Sequence, residues 1–455
     1  MCVKMHDANI VVCRVSGKFE TTFSKIIYIC HTKAMSARMN LKSCLQTIII
    51  TTFLIYSGNA VCQTSQILSE NIRTLQVLKN SDWMELPVIE LGSDDRISIS
   101  FDELSHRNRR LVYRISHCLS DWTESGLSEQ EFMDGFNGLP ITDYRNSVNT
   151  TMLYTHYRLE IPNDDVRLLV SGNYEVTVSD GTDFSELLKA RFAVLERGCS
   201  VTAQVSGNTD ADTNDKNQQL SVTVGFSSLQ TSRPEREIIV NATQNRRSDI
   251  MVTSLEPSYI TGSQLQFVHN RRLIFAGGNE YRRFEVVNMY NYSRNVDRID
   301  FFDPYFHATL MEDRPHWDYI YDQDHNGRFL IRYNRSDDSD MGADYLFVHF
   351  VLRAPHYLGG RLYLDGDFTY GSLGDEWEMV YNDRSGCYEK AVLLKMGAYD
   401  YRYLWVPEGS SKGMTFQTEG DSFETSNEYQ VFVWFRQFGS RYDRLVGLAD
   451  LRMAK

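Results

Sequence analysis

Leu220-Ser221-Val222-Thr223-Val224-Gly225-Phe226 alternates apolar and polar residues for seven positions. Side chains repeat every two residues on a strand and every 3.6 on a helix, so this stretch reads as a half-buried β-strand. The same period recurs at Ile238, Val240 and Ala242. Tyr345 to Leu352 and Tyr429 to Phe435 are apolar at nearly every position, as strands central to a sandwich would be. Turn-forming residues punctuate the runs: Ser179-Asp180-Gly181, Asn326-Gly327, Gly359-Gly360, Asp365-Gly366 and Ser385-Gly386. One short helix is expected around 128–136. Many short strands between turns predict an all-β chain of serial immunoglobulin-like β-sandwich domains. The expected units are 64–196, 197–353 and 354–455. The breaks fall at Arg197-Gly198 and Arg353-Ala354-Pro355, and 208–219 reads as a loop.

The front of the chain has another character. Leu45 to Tyr56 is an uncharged apolar run, preceded by Lys42 and followed by Ser57-Gly58-Asn59-Ala60. That order of charged, apolar and small residues is a secretory signal peptide, too short to span a membrane comfortably. A signal peptide starts a chain, so translation is expected to begin at Met39, with 1–38 a mis-assigned gene start and 39–62 the signal. Cleavage could follow Ala60 or Cys62; a lipidated Cys62 is the alternative, with Val61 a poor residue before it. Net charge is -13 over 455 residues. Removing 1–62 takes away seven basic and two acidic residues, leaving about -18. No basic run offers phosphate neutralisation, which excludes nucleic acid as an expected partner. No later apolar run would insert stably in a membrane. Cys118, Cys199 and Cys387 are too few and too scattered for a disulfide framework and read as buried thiols.

Catalytic and metal signals are weak. Asp322-Gln323-Asp324-His325-Asn326-Gly327 opens like a calcium loop, but Tyr333 stands where the closing Glu is needed. Asn-Gly is also a favoured turn, and an ordinary turn is the preferred reading. Asp121, Glu129, Glu131 and Asp134 near Trp122 lack any spacing that would set two carboxylates across a substrate. No CxxC, HExxH or phosphate-loop motif stands after residue 62. No enzyme, no cofactor and no metal site are expected.

The segment Arg361–Phe368, then Trp377, Gly386-Cys387-Tyr388, Gly397-Ala398-Tyr399 and Tyr401-Arg402-Tyr403 resembles the early-set immunoglobulin-like module of glycogen-binding domains. That resemblance would make Trp377 and Trp405 sugar-stacking rings, and the chain a carbohydrate-binding accessory protein as the alternative function. Both tryptophans equally suit a core.

A wider resemblance covers about 70–450. It is carried by Leu86-Pro87-Val88-Ile89-Glu90-Leu91-Gly92, His117-Cys118, Phe132-Met133-Asp134-Gly135-Phe136-Asn137, Tyr154-Thr155-His156-Tyr157 and Ser171-Gly172-Asn173-Tyr174. Gly277-Gly278-Asn279-Glu280-Tyr281-Arg282-Arg283-Phe284 and Phe438-Gly439-Ser440-Arg441-Tyr442-Asp443-Arg444 continue it. In that order the segments resemble the plug protein family of the type IX secretion system, found in the Bacteroidota. A departure is Asn245-Arg246-Arg247, where an Asn-Gly-Arg-like turn is expected. The resemblance implies a periplasmic protein, peripherally associated with the outer membrane. It would act as a monomer within the complex, closing the inner mouth of an outer-membrane β-barrel translocon when cargo is absent. Turns that combine aromatics with charge are the expected contacts: Phe136 and Asn137 in one, Arg441, Tyr442 and Arg444 in the other.

Overall fold

The computed structural model describes residues 64–291 and 293–453. The signal segment 39–62, the upstream 1–38 and Cys62 lie outside the described residues. Among those described, 29 strands stand against three one-turn α-helices and two 3-10 turns, so the chain is all-β as its period-2 pattern required. The described residues cluster as one compact unit.

Three sandwich cores are built in turn. The first buries Ile72 to Val194. Its outer sheet runs Ile72–Lys79, Ile97–Glu103, Thr155–Ile161 and Asp143–Asn146, facing a sheet that contains Leu111–Cys118, Gly172–Asp180 and Glu186–Leu195. Each strand gives its alternate side chains to the slot between the sheets. The short helix is shorter than the sequence suggests: Glu129–Phe132 only, after which Met133–Gly135 pairs with Val166–Leu168. The helix ends at Met133, whose backbone is already extended, and Gly135 lets the strand that follows pass close to its neighbour, since its backbone takes φ 137° and a Cβ there would lie 2.3 Å from the Asp165 carbonyl.

The second and third cores depart from the expected boundaries. The second buries Leu220 to Phe275 together with Tyr429 to Val446. The third buries Phe284 to Tyr403. Strand Glu428–Phe435, assigned by sequence to the C-terminal unit, instead pairs along Ile238–Gln244, and Arg444–Arg452 pairs with it in turn. Strand Arg282–Val286, assigned to the middle unit, pairs with Gly397–Pro407. The chain therefore completes the third core before returning to finish the second. Pairing between distant strands leaves no mark on either strand's sequence, which is why the breaks at 353 and 354 were misplaced. Leu195 pairs in parallel with Leu445, so the first and second sandwiches share one sheet. At that seam Leu86, Val88, Ala193, Leu195, Trp434 and Leu445 make a small fourth cluster.

Two apolar runs behave differently. Glu428–Phe435 is buried on both faces, one on the second core and Trp434 on the seam. Tyr345–Arg353 is central in its sheet but deeply buried on one face only, with Phe347, His349 and Val351 half-buried. Cys118 and Cys387 are buried and Cys199 is half-buried; all three are free thiols. Burial pushes Cys118 and Cys199 up to about 12, so neither is nucleophilic at neutral pH.

Candidate functional site

The two turns singled out by sequence lie some 300 positions apart, and the fold brings them together. Ser128 begins the one-turn helix with a capping box: its backbone N–H and its hydroxyl both donate to Glu131 at 2.8 Å. Those bonds, first the backbone one, hold the Glu131 carboxyl below its ordinary range. Phe132 turns into the first core and Met133–Gly135 leads to Phe136, which is 78% exposed. Asn137 fixes that turn by imitating a strand neighbour. Its amide donates to the Ile115 carbonyl at 3.0 Å and its oxygen accepts from the Ile115 N–H at 2.7 Å.

The second turn closes the hairpin between Glu428–Phe435 and Arg444–Arg452. Gly439 takes φ 85°, and Phe438 beside it stands 94% exposed. Arg441 donates to the Gly126 carbonyl at 3.0 Å and pairs with Glu131, the residue that closes the capping box. Tyr442 sets its ring at right angles to His117, 5.5 Å away. Asp443 is fully buried and accepts from the Ser120 N–H at 2.9 Å. Arg444 forks onto Glu196 at 2.7 and 3.1 Å. His117 is buried between Ser125 and Ser171, and that burial lowers its pKa.

The arrangement is thus a staple carrying two exposed rings. Arg441 and Arg444 bind the hairpin to the first sandwich through their guanidinium groups and Tyr442 through its ring, while Asn137 fixes the Phe136 turn within that sandwich. Phe136 and Phe438 present exposed aromatic surface on the turns beside these contacts. Large apolar side chains left exposed on rigid turns are the usual anchors of a protein contact. Sequence reasoning selected Phe136 but passed over Phe438. The missed signal was an aromatic placed directly before a glycine between two apolar strands.

Other sequence candidates are placed as follows. Trp377 and Trp405 are half-buried and pack against the third core, Trp377 edge-on to Phe368 at 5.6 Å and Trp405 against Phe416 at 6.2 Å. Asn326-Gly327 does form a turn, but only Phe329–Ile331 becomes a strand, and it pairs with Gly397-Ala398-Tyr399 rather than with 319–321. Burial, then the neighbouring Asp400, push Asp324 up to about 7. The carboxylates near Trp122 are engaged singly: Glu131 as above, Asp134 with Arg167 at 2.8 Å, Asp121 with the Thr123 N–H at 3.0 Å. Sequence reasoning had found no G-x-S-x-G, but Gly409-Ser410-Ser411-Lys412-Gly413 has that spacing; it follows strand Gly397–Pro407 with no helix behind it among the described residues.

Residues 72–196 match the family model described as type 9 secretion system plug protein 1st domain. A crystal structure of a hypothetical protein from Parabacteroides merdae is 41% identical, with a TM-score of 0.84. The alignment covers 86% of this chain and all of that one. The C-terminal domain of the Streptococcus agalactiae AgI/II polypeptide BspA aligns at 8% identity with a TM-score of 0.13, which carries no argument. No curated protein matches the chain.

Proposed function

The chain belongs to the type IX secretion system plug protein family, and from that premise we propose that it is a non-enzymatic periplasmic plug. It seals the periplasmic mouth of the outer-membrane translocon barrel when no cargo is engaged. A cleaved signal peptide delivers it, and it sits as a monomer in the complex, peripheral to the membrane. Among the described residues no helix is long and apolar enough to cross a membrane, which fits peripheral attachment. The observation that carries the reading is the pair of exposed phenylalanines, Phe136 and Phe438, held by a staple of buried and paired side chains. A plug must keep its shape against a large pore, and rings carried on turns already formed lose less conformational entropy on binding than rings on a loop that must first be ordered.

The test is co-purification with the barrel from detergent extracts, together with outer-membrane permeability in a strain lacking the gene. The whole chain should co-purify and its deletion should raise permeability. Phe136→Asp combined with Phe438→Asp should abolish co-purification while the protein stays folded. No association, with unchanged permeability on deletion, overturns the plug role. Association untouched by the double substitution overturns the assignment of the surface.

A further inference from the structure

The third sandwich ends on an uncovered edge. Strand Val296–Phe302 is the last in its sheet and pairs on one side only, with Tyr305–Leu310. Among the described residues nothing pairs with its other side. The two strands are joined by Asp303-Pro304, with Phe302 opposite Tyr305. Proline has no N–H to give, so the bonds that close the hairpin run between Phe302 and Tyr305 themselves. Bonded and unbonded pairs alternate along an antiparallel ladder, so Asp300 and His307 make the next bonded pair. Ile299 and Phe301 therefore turn their N–H and C=O groups away from the sheet.

Native sheets blunt such edges with charge, proline or a bulge, because an open row of donors and acceptors is a template for another strand. This edge has a bulge near its start, between Val296 and Arg298. From Ile299 to Phe302 the register is regular, and Phe301 and Phe302 stand 51% and 62% exposed. Phe301 rests on Phe306 at 4.9 Å and Phe302 sits edge-on to His307 at 5.2 Å, so rings of the neighbouring strand support the edge.

The charges on the strand decide what fits beside it. Arg298 and Asp300 are two positions apart, so they share one face. They meet at 3.0 Å, and their side chains stay 58% and 43% exposed. An antiparallel copy of the same strand, centred on Ile299, sets Ile299 against itself and Arg298 against the second copy's Asp300, twice. Each in-strand pair is kept, and the four groups form a ring of alternating charge. Asp297 then faces Phe301, so no like charges meet. Other centres fit worse. An axis on Arg298 or on Asp300 opposes like charges, one on Phe301 sets Ile299 against the turn at Asp303, and one on Asp297 falls in the bulge. With Ile299 bonded to itself, Arg298 and Asp300 form an unbonded cross-strand pair, the kind whose side chains lie closest.

We propose that two copies of this chain, outside the translocon, pair edge to edge through Val296–Phe302, antiparallel about a two-fold axis at Ile299. The pairing uses both open edges and so stops at a dimer. A contact of one strand on each side is smaller than a standard interface, so it is weak, with a Kd of about 10–100 µM. It covers the edge of the free chain and goes beyond the plug reading, which concerns a single copy on the barrel.

Sedimentation of the purified chain, with no barrel present, is the test. The chain should be a monomer at about 1 µM and mostly a dimer at about 500 µM. Arg298→Asp opposes acid to acid at two places and Asp300→Arg opposes base to base, so each alone should weaken dimerisation about tenfold or more. Mixed in equal amounts, the two variants set Asp against Arg at both places and should dimerise within about threefold of the unaltered chain. The double variant should do the same. Both side chains are partly exposed, so the urea midpoint, measured alongside at low concentration, should not move. A monomer at every concentration overturns the proposal, and so do assemblies larger than a dimer. Dimerisation unchanged in both single variants overturns the surface, and a mixture no tighter than its components overturns the two-fold register.

Discussion

Replacing Lys395 by methionine should be among the most damaging single changes available in this chain, although Lys395 is far from either exposed phenylalanine in sequence. Lys395 ends strand Cys387–Lys395 of the third sandwich, and Asp102 lies in Ile97–Glu103 of the first. Their side chains are both 1% exposed and meet at 2.6 Å. Nζ also donates to the Asp340 carbonyl at 2.7 Å and sits 4.2 Å from the centre of the Tyr154 ring. The second acceptor lobe of Asp102 is filled too: the Tyr345 hydroxyl donates at 2.7 Å and His156 meets the other oxygen at 2.7 Å. The cluster is a weld between two sandwiches, with every group satisfied.

Taking one partner from a buried pair leaves the other charged and desolvated, which costs about 3–5 kcal/mol. Lys395→Met should lose that much stability in urea unfolding followed by fluorescence. Asp102→Asn should lose a similar amount, because Lys395 then stays buried with neutral acceptors and no counter-charge. The double variant removes both charges and should cost no more than either single one, since neutral replacement of a buried pair is often close to neutral. The cycle therefore predicts a coupling of about 3 kcal/mol or more. A loss below about 1 kcal/mol for Lys395→Met, or a double variant whose cost equals the sum of the singles, would refute the reasoning. The pH dependence gives a second reading. Burial by itself would raise Asp102, but Lys395 and then His156 outweigh it and hold the carboxyl below its ordinary value. A depressed carboxylate contributes stability that is full above the unfolded value of about 3.9 and lost as pH falls through the lower folded one. Asp102→Asn should remove that part of the acid sensitivity below about pH 4.

Four further outcomes are expected. Gly172→Ala should cost about 2–3 kcal/mol in the same urea assay, because a Cβ there would lie 2.5 Å from His117 Nε2 and 2.9 Å from the Asp443 carbonyl at φ 138°. His117 is held neutral by burial, with its pKa lowered; unfolding frees it to take a proton, so its contribution to stability should fade as pH drops below about 6.5, read as a smaller slope between pH 7 and 5 in His117→Gln. Arg444→Ala should cost no more than about 1 kcal/mol by thermal or urea unfolding, since Arg444 and Glu196 are both partly exposed. Cys118 and Cys199, raised to about 12, should resist a thiol reagent at pH 8 in the native chain and react once it is unfolded in urea, scored by mass.

Strands with one buried face are legible in the sequence because that burial imposes a period of two, and Leu220 to Phe226 shows it without help from any neighbour. The turns are legible as well, since Asn326-Gly327 and Gly135 are chemically suited to backbone angles that other residues avoid. The Phe136 turn could be chosen from residue type alone. What the sequence could not hold was partnership. Strand Glu428–Phe435 is equally apolar whether it completes its own unit or crosses to Ile238–Gln244, as it does. The same limit hid the weld of Asp102 to Lys395, 293 positions away, and the grip of Arg441 on Glu131. A charge in a sequence is read as exposed by default; only the tertiary structure decides that it is buried, because burial is tolerable only where a distant partner arrives to meet it.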